Sequence, residues 1–193
     1  MAFPVLYLLR HGQTEWNVQG RFQGQHNSPL TARGKEDAAA QGRLLGPVFA
    51  QHRAIDIYAS PLGRVRQTAE IALKNHNRSP QFHDSLMEIH IGDWQGLALA
   101  EIESGWPDLY NAHTSTFDLL AMSPTGEGID ALFARCTTFL QSLRGPSVLF
   151  SHGAAMAVLR SIARGLPPQE VAHLDHRQGC IYRIENGQEE IFD

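Results

Sequence analysis

The sequence predicts an α/β fold, specifically a three-layer α/β/α sandwich with a mostly parallel central sheet. Two observations predict it. Short apolar runs of strand length alternate along the chain with longer segments in which apolar residues recur at helical spacing. Three of the strand-like runs also end abruptly in polar residues, and the carboxyl edge of an open parallel sheet is where such folds bind ligands.

The first half of the chain supplies two strand–helix units. Residues 3–9 are almost continuously apolar and predict a buried strand. A helix follows over residues 31–49, with the threonine at its start as N-cap. Residues 55–59 predict the second strand, after which Ser60 and Pro61 are expected to be the N-cap and first residue of a helix that reaches about residue 75.

The second half repeats the alternation. Residues 126–143 carry apolar side chains at helical spacing, and residues 147–150 predict a third strand that leads into an alanine-rich helix ending near Arg164. The chain then predicts a short helix opening at Pro167 and a hairpin of residues 180–185 and 189–192 around Asn186 and Gly187.

Length and composition predict one domain over residues 1–193, in which the irregular residues of about 84–125 form an insertion that covers the site. The net charge of −4 argues against a nucleic-acid or anionic-membrane partner. No apolar stretch is long enough to span a membrane, and the N-terminus lacks the pattern of a signal peptide. Cys136 and Cys180 are far apart and in no metal-binding spacing, so we expect a cytoplasmic protein.

Charge is distributed unevenly along the sequence. No lysine or arginine occurs between Arg78 and Arg135, whereas the same stretch holds nine acidic residues, from Asp84 to Asp130. We expect this acidic, cation-free stretch to disfavour substrates that carry several negative charges, at a cost of several kcal/mol at an effective dielectric constant near 20.

The polar residues at the three strand ends predict a phosphate site. Arg10 and His11 follow the first strand, Arg64 lies just beyond the second, and His152 follows the third. Since the carboxyl ends of parallel strands lie on one edge, two arginines and two histidines would meet there, near helix N-termini that favour anions. A guanidinium suits phosphate, and a neutral imidazole can act as a nucleophile. Glu88 offers a carboxyl group in a fourth segment.

These segments occur within longer motifs. The motifs are RHGQTEWN at 10–17, GRFQG at 20–24, PLTARG at 29–34, SPLGRVRQTA at 60–69, the segment 88–96, and SHG at 151–153. In order and spacing they resemble the histidine phosphatase superfamily, in its phosphoglycerate-mutase-like branch 1, and most closely its small phosphatases of the α-ribazole phosphatase type. The resemblance spans nearly the whole chain.

The resemblance implies a role for each matched residue. His11 would attack phosphorus and form a phosphohistidine, while Arg10, Arg64 and His152 would hold the phosphoryl oxygens. Glu88 would protonate the leaving group and then activate water. Further phosphate contacts are expected from residues of the same motifs, namely Thr14, Asn17, Gln23, Gly24 and Gly153.

The same resemblance implies that neither a metal nor another cofactor is needed. The expected partner is a small-molecule phosphate monoester with a neutral, cationic or aromatic leaving group, such as a ribazole-phosphate-like nucleotide, a sugar phosphate or an aryl phosphate. Aromatic residues in and near the cover are candidate contacts: Trp94, Trp106, Tyr110 and Phe117.

Three questions stay open at the level of sequence. A mutase-type phosphotransferase, a non-catalytic module that binds a phosphorylated ligand, and a phosphoprotein phosphatase are alternatives to the small-molecule phosphatase. The oligomeric state is open between monomer and homodimer. His26, His90 and Gln95 depart from the usual family pattern, and we expect His90 to tune Glu88 or to contact substrate; the pair His173 and His176 is interpreted as solvated surface.

Overall fold

The computed structural model describes residues 3–193 and contains one six-stranded sheet. The strands are β1 (Leu6–Arg10), β2 (Asp56–Ala59), β3 (Gln81–Phe82), β4 (Ser147–Ser151), β5 (Ile181–Glu185) and β6 (Gln188–Phe192). Their order in the sheet is β3-β2-β4-β1-β5-β6. The first four are mutually parallel, whereas β5 pairs antiparallel with β1 and β6 pairs antiparallel with β5, so the predicted mostly parallel α/β sheet is confirmed with antiparallel pairing at one edge.

Eight α-helices occur among the described residues, together with 3₁₀ turns at Asp84–Leu86, Gly92–Trp94 and Pro168–His173. The helices are α1 (Glu15–Val18), α2 (Ala32–Gln51), α3 (Gly63–Leu73), α4 (Leu99–Gly105), α5 (Pro107–Ala112), α6 (Thr116–Ala121), α7 (Gly128–Ser142) and α8 (Gly153–Arg164). Within residues 3–193, no helix is both long enough and apolar enough to cross a membrane.

Alternating side chains of β1 divide the core into two layers. Leu6 and Leu8 belong to a cluster on one face of the sheet that includes the apolar sides of α7 and α8. Tyr7 and Leu9 point the other way, into a cluster with the apolar sides of α2 and α3. Because helices cover both faces of the sheet, the expected three-layer arrangement is present.

Two local signals of the sequence are confirmed. The Thr31 side chain caps α2 by accepting the N–H of Gly34 at 3.0 Å. The hairpin between β5 and β6 turns at Asn186 and Gly187, whose φ values of 52° and 77° are those a tight hairpin turn needs.

The prediction that Ser60 caps the following helix is wrong. Helix α3 begins at Gly63, with Leu62 in the N-cap position and without a side-chain cap. The Ser60 hydroxyl instead lies within 2.8 Å of His152 Nε2. The Ser60 side chain therefore forms a tertiary hydrogen bond with His152 instead of capping the helix.

Two glycines let the loop after β1 touch the start of α2. A Cβ atom on Gly12 would lie 2.0 Å from the Gly34 carbonyl oxygen, and one on Gly34 would lie 2.0 Å from the Gln13 carbonyl oxygen. The N–H of Gly12 also donates to the Thr68 hydroxyl of α3 at 3.1 Å. This backbone-to-backbone contact fixes the chain immediately after His11.

We expect Gly34→Ala to lower the free energy of unfolding by about 1–3 kcal/mol or more, because the new methyl group meets rigid backbone. Urea unfolding measures the change. The matched control is Gly105→Ala, where a Cβ has no neighbour within 4 Å and the change should stay within about 0.5 kcal/mol. Equal stability of the two variants would contradict the close contact.

Candidate active site

The ends of β1, β2 and β4 meet at one edge of the sheet. Arg10 is paired with Ser151 in the register of β1 and β4, and the N–H of His11 donates to the Ser151 carbonyl at 3.1 Å. The N–H of Ser60 donates to the carbonyl of Phe150 at 3.0 Å. These contacts bring the imidazoles of His11 and His152 together, edge to face, with their ring centres 5.3 Å apart.

His11 is held in one tautomer. Its side chain is 2% exposed, and Nδ1 lies 2.8 Å from the carbonyl oxygen of Gly12. Because a carbonyl can only accept, Nδ1 carries the proton and Nε2 keeps its lone pair. Burial, and after it the positive charges of Arg64 and Arg10, lower the pKa of His11 well below its usual 6.5. The imidazole is thus neutral and nucleophilic at neutral pH.

Two guanidinium groups lie beside the imidazoles. Arg64, 1% exposed, donates to the carbonyls of Gly24 at 2.7 Å and His26 at 2.6 Å. Arg10 donates to the carbonyl of His176 at 2.6 Å. Burial lowers the pKa of Arg10, and it lowers the pKa of Arg64 to about 10, while the charge of Glu88 opposes both shifts. Both groups stay cationic at neutral pH.

Unpartnered polar atoms concentrate here. Seven buried side-chain nitrogen or oxygen atoms of residues 3–193 lack a hydrogen-bond partner, and four of them belong to this site: Arg10 Nε, Arg64 Nε, His152 Nδ1 and Gln23 Oε1. Buried donors are normally paired by protein, water or ligand. The two guanidinium nitrogens are donors on cationic side chains, and such donors suit an anion with several acceptor oxygens.

Glu88 is placed by backbone donors at the N-terminus of α8. Its Oε1 accepts the N–H of Ala155 at 2.9 Å and of Ile89 at 3.0 Å, and its Oε2 accepts the N–H of Ala154 at 3.2 Å. Arg135 fixes the backbone of this segment by donating to the carbonyl of Glu88 at 3.1 Å. It also donates to the carbonyls of Ser85 and Met87. The carboxylate therefore has a fixed position without an ion pair to either cavity arginine.

A cavity of about 660 Å³ opens above these groups. Its polar floor includes Arg10, His11, Arg64 and Glu88. Its apolar wall is supplied by the loop after β1 and by the segment between β3 and α7, through Trp16, Phe22, Ile89, Ile91, Leu99, Phe117 and Leu120. The site thus joins a cationic floor to a mainly apolar wall.

Most of the smaller phosphate contacts expected from the sequence line this cavity: Asn17, Gln23, Gly24 and Gly153. Thr14 does not. Its side chain is buried and caps α1, accepting the N–H of Asn17 at 3.2 Å, while its own N–H donates to Asn17 Oδ1 at 3.0 Å. His152 is also absent from the lining: its side chain is fully buried and its ring packs against that of His11.

Of the four aromatic residues expected to contact the substrate, the structure places only Phe117 in the cavity lining. Trp94 is fully buried and packs against Trp106, with ring centres 5.8 Å apart. Tyr110 packs against the same core cluster. The spacing of apolar residues in the sequence does not distinguish side chains of the core, such as Trp94, from side chains of the cavity wall.

The carboxylates of the acidic stretch do not face the cavity as expected. Of its nine acidic residues only Glu88 is in the lining. Glu101 pairs with Arg21 of the cavity wall at 2.8 Å, and Glu127 pairs with Arg135 at 2.8 Å. The segment therefore presents apolar side chains to the cavity, and the expected repulsion of a multiply charged substrate by this stretch is not supported.

The structure adds detail to the sequence interpretation of two histidines, His90 and His176. His90 does not line the cavity; its Nδ1 accepts the N–H of Gly92 at 3.3 Å, and its Nε2 lies 3.4 Å from Gln95. His176 is solvent-exposed, as interpreted from the sequence, but it also lines the cavity and supplies the carbonyl that holds Arg10. Within residues 3–193, no cluster of three or more histidine, cysteine or acidic side chains is arranged to bind a metal.

Gln178 is a site residue that sequence reasoning missed. Its amide donates to the carbonyl of His11 at 2.9 Å and to Asn17 Oδ1 at 3.3 Å. Since Oδ1 of Asn17 also accepts from Thr14, the amide nitrogen of Asn17 is left as a donor. No sequence motif contains Gln178. The one signal for its role is its position just before β5, because β5 lies beside β1 in the sheet and so brings Gln178 near His11.

Comparison with known proteins agrees with this geometry. Residues 6–191 match the model of the histidine phosphatase superfamily (branch 1). The chain is 33% identical to a probable phosphoglycerate mutase, GpmB, from Salmonella paratyphi A, over 93% of this chain and 84% of the relative.

Two solved structures share the fold. A putative α-ribazole-5′-P phosphatase from Escherichia coli superimposes with a TM-score of 0.82 at 26% identity, covering 98% of this chain and 95% of the other. A mycobacterial glucosyl-3-phosphoglycerate phosphatase gives a TM-score of 0.76 at 26% identity, with 98% and 96% covered. The chain belongs to the histidine phosphatase superfamily, branch 1.

Proposed function

We propose that the protein is a metal-independent phosphomonoesterase that hydrolyses a small phosphate ester through a phosphohistidine on His11. One observation carries the proposal: Nε2 of a buried, neutral His11 keeps its lone pair beside the unpartnered Nε atoms of Arg10 and Arg64. A nucleophile and paired cations are what phosphoryl transfer needs when no metal neutralises the charge.

In the first half-reaction, Nε2 of His11 forms a bond to phosphorus as the ester P–O bond breaks. Arg10 and Arg64 stabilise the charge on the phosphoryl oxygens in the transition state. Glu88 transfers its proton to the departing oxygen, so the leaving group departs as an alcohol. The bond from His11 Nδ1 to the Gly12 carbonyl stabilises the positive charge that the imidazole gains.

In the second half-reaction, Glu88 accepts a proton from a water molecule, which attacks phosphorus. The N–P bond breaks, and the electron pair returns to Nε2 of His11. Inorganic phosphate leaves, and Glu88 is again protonated for the next cycle. The three backbone donors around Glu88 support this dual role by holding the carboxyl group in place through both steps.

The apolar wall supports a substrate with one phosphate and an uncharged, largely apolar or aromatic leaving group. Among the described residues, Arg21 is the one cation on the apolar wall, and Glu101 neutralises it. A leaving group that carries its own carboxylate or second phosphate would lose hydration against Phe117, Leu120 and Ile91 without gaining a free cation. Two structural relatives bear the names of phosphatases, which favours hydrolysis.

A mutase activity is the second candidate function, because the curated relatives are named probable phosphoglycerate mutases. It shares the first half-reaction and differs in whether an alcohol or water takes the phosphoryl group. A non-catalytic binding module is disfavoured, because binding alone requires neither a nucleophile at His11 nor a carboxyl group at Glu88.

We expect His11→Ala to lower kcat on an aryl phosphate at least about 10³-fold, because no other side chain can replace the attacking nitrogen. Rapid quenching of the wild-type enzyme with labelled substrate should trap an acid-labile phosphoryl group on His11, with chelator present throughout.

The matched control is His173→Ala, which removes an exposed imidazole outside the cavity lining and should leave kcat within about twofold of wild type. Turnover that survives His11→Ala, or that depends on added metal, would contradict the proposed mechanism.

We expect kcat/KM for a neutral aryl phosphate to exceed that for 3-phosphoglycerate at least about 100-fold, which corresponds to ~2.7 kcal/mol. Phe117→Ala should reduce kcat/KM for the aryl ester more than for ethyl phosphate, because the smaller ester does not reach the wall. Steady-state kinetics on the three esters measures both effects. Comparable turnover of 3-phosphoglycerate, or its interconversion with 2-phosphoglycerate, would favour the mutase instead.

A further inference from the structure

Ser60 forms a buried hydrogen bond for which neither the fold nor the proposed chemistry accounts. Its hydroxyl lies 2.8 Å from Nε2 of His152, and both side chains are 0% exposed. Ser60 follows β2 and His152 follows β4, so the bond joins two neighbouring strand ends directly beneath the candidate active site. The bond can be formed in two ways, and its direction decides which imidazole nitrogen carries the proton.

The other contact of Ser60 decides the direction. The N–H of Leu62 donates to the Ser60 hydroxyl oxygen at 3.3 Å, so the oxygen already acts as an acceptor. The single hydroxyl hydrogen needs an acceptor of its own, and Nε2 of His152 is the one that the described residues provide. Nε2 must then bear a lone pair, and a neutral imidazole in this state carries its proton on Nδ1.

His152 is neutral for the same reasons as His11. Burial, followed by the charge of Arg64, lowers its pKa well below 6.5, and the neighbouring His11 and Arg10 add to the effect. Its Nδ1 is buried and has no hydrogen-bond partner among residues 3–193. A buried N–H without a partner is costly, whereas an N–H that meets an anionic oxygen forms a strong hydrogen bond.

We infer that Ser60 is a positioning residue that fixes His152 in the Nδ1–H tautomer, so that this N–H is the neutral donor to a phosphoryl oxygen. Both imidazoles then carry their proton on Nδ1, but a different ring nitrogen remains available to the substrate in each. In His11 the Nδ1–H is used by Gly12 and the lone pair on Nε2 is free. In His152 the lone pair is used by Ser60 and the Nδ1–H is free. The inference rests on the proposed function only for the identity of the acceptor.

Long-range ¹H–¹⁵N NMR on ¹⁵N-histidine-labelled wild-type protein reads the tautomer directly, with the His152→Gln variant assigning the signals. The expected result is a protonated Nδ1 and an unprotonated Nε2 at His152 in the resting protein at pH 7.5. A protonated Nε2 would overturn the inference. This spectrum needs no turnover, so it is independent of whether a phosphohistidine is trapped on His11, which tests the proposed function.

Kinetics of variants test whether Ser60 acts through His152. Ser60→Ala should lower kcat/KM for an aryl phosphate about 10-fold or more and weaken inhibition by orthovanadate by a similar factor. The double variant Ser60→Ala/His152→Gln should be no slower than His152→Gln alone, because the effect of Ser60 passes through that imidazole. If the loss of kcat/KM in the double variant equals the product of the losses in the two single variants, the inference is overturned.

The matched control is Ser161→Ala, which removes another fully buried hydroxyl, one that donates to the Leu166 carbonyl at 3.2 Å near the far end of α8. It should leave kcat/KM within twofold of wild type and the His152 signals unchanged. A loss equal to that of Ser60→Ala would attribute the effect to any missing buried hydroxyl and would contradict a specific role for Ser60.

Discussion

The burial of two guanidinium groups beside two imidazoles is the constraint on which the rest of the site depends. Arg10 and Arg64 lose hydration and repel each other, and among residues 3–193 Glu88 is the one acidic side chain in the cavity lining that offsets their charge. Burial, and after it the positive charge of the two arginines, lowers the pKa of His11 and of His152, so both imidazoles stay neutral. The same excess of positive charge makes a dianionic phosphoryl group the natural complement of the site.

The surrounding fold explains how such a cluster is tolerated. Carbonyl oxygens, which are strong acceptors, are aimed at the guanidinium groups from two loops: Gly24 and His26 hold Arg64, and His176 holds Arg10. The contact between Gly12 and Gly34 fixes the loop that carries the nucleophile. The backbone thus supplies the positioning, and the side chains remain free for substrate.

The sequence predicted the parts that follow from periodicity and topology. Strand ends at Arg10 and His152 could be placed on one edge because parallel strands share their direction, and the motifs led to the same residues. Ser60 was misassigned because a serine before a proline is a strong local helix signal, and only tertiary structure shows that His152 takes its hydroxyl. The orientation of a side chain such as Trp94, or the reach of Gln178 to His11, depends on packing between distant segments, which no local pattern encodes.

The charge pattern illustrates the same limit. The stretch from Asp84 to Asp130 is acidic in sequence, but only Glu88 of its acidic residues lines the cavity, and Glu101 and Glu127 form ion pairs. A count of charges along the chain therefore does not predict the charge of the cavity wall. The proposed preference for an uncharged leaving group rests instead on the apolar side chains that this stretch presents to the cavity.

The central claim is that burial and two arginines keep His11 neutral, and an NMR pH titration of its imidazole tests it most directly. The account predicts that His11 remains unprotonated as the pH falls through 6.5 and titrates only well below that value, and that Arg64→Gln moves the midpoint upward because one repelling charge is gone. A midpoint at or above 6.5 in the wild-type protein would contradict it.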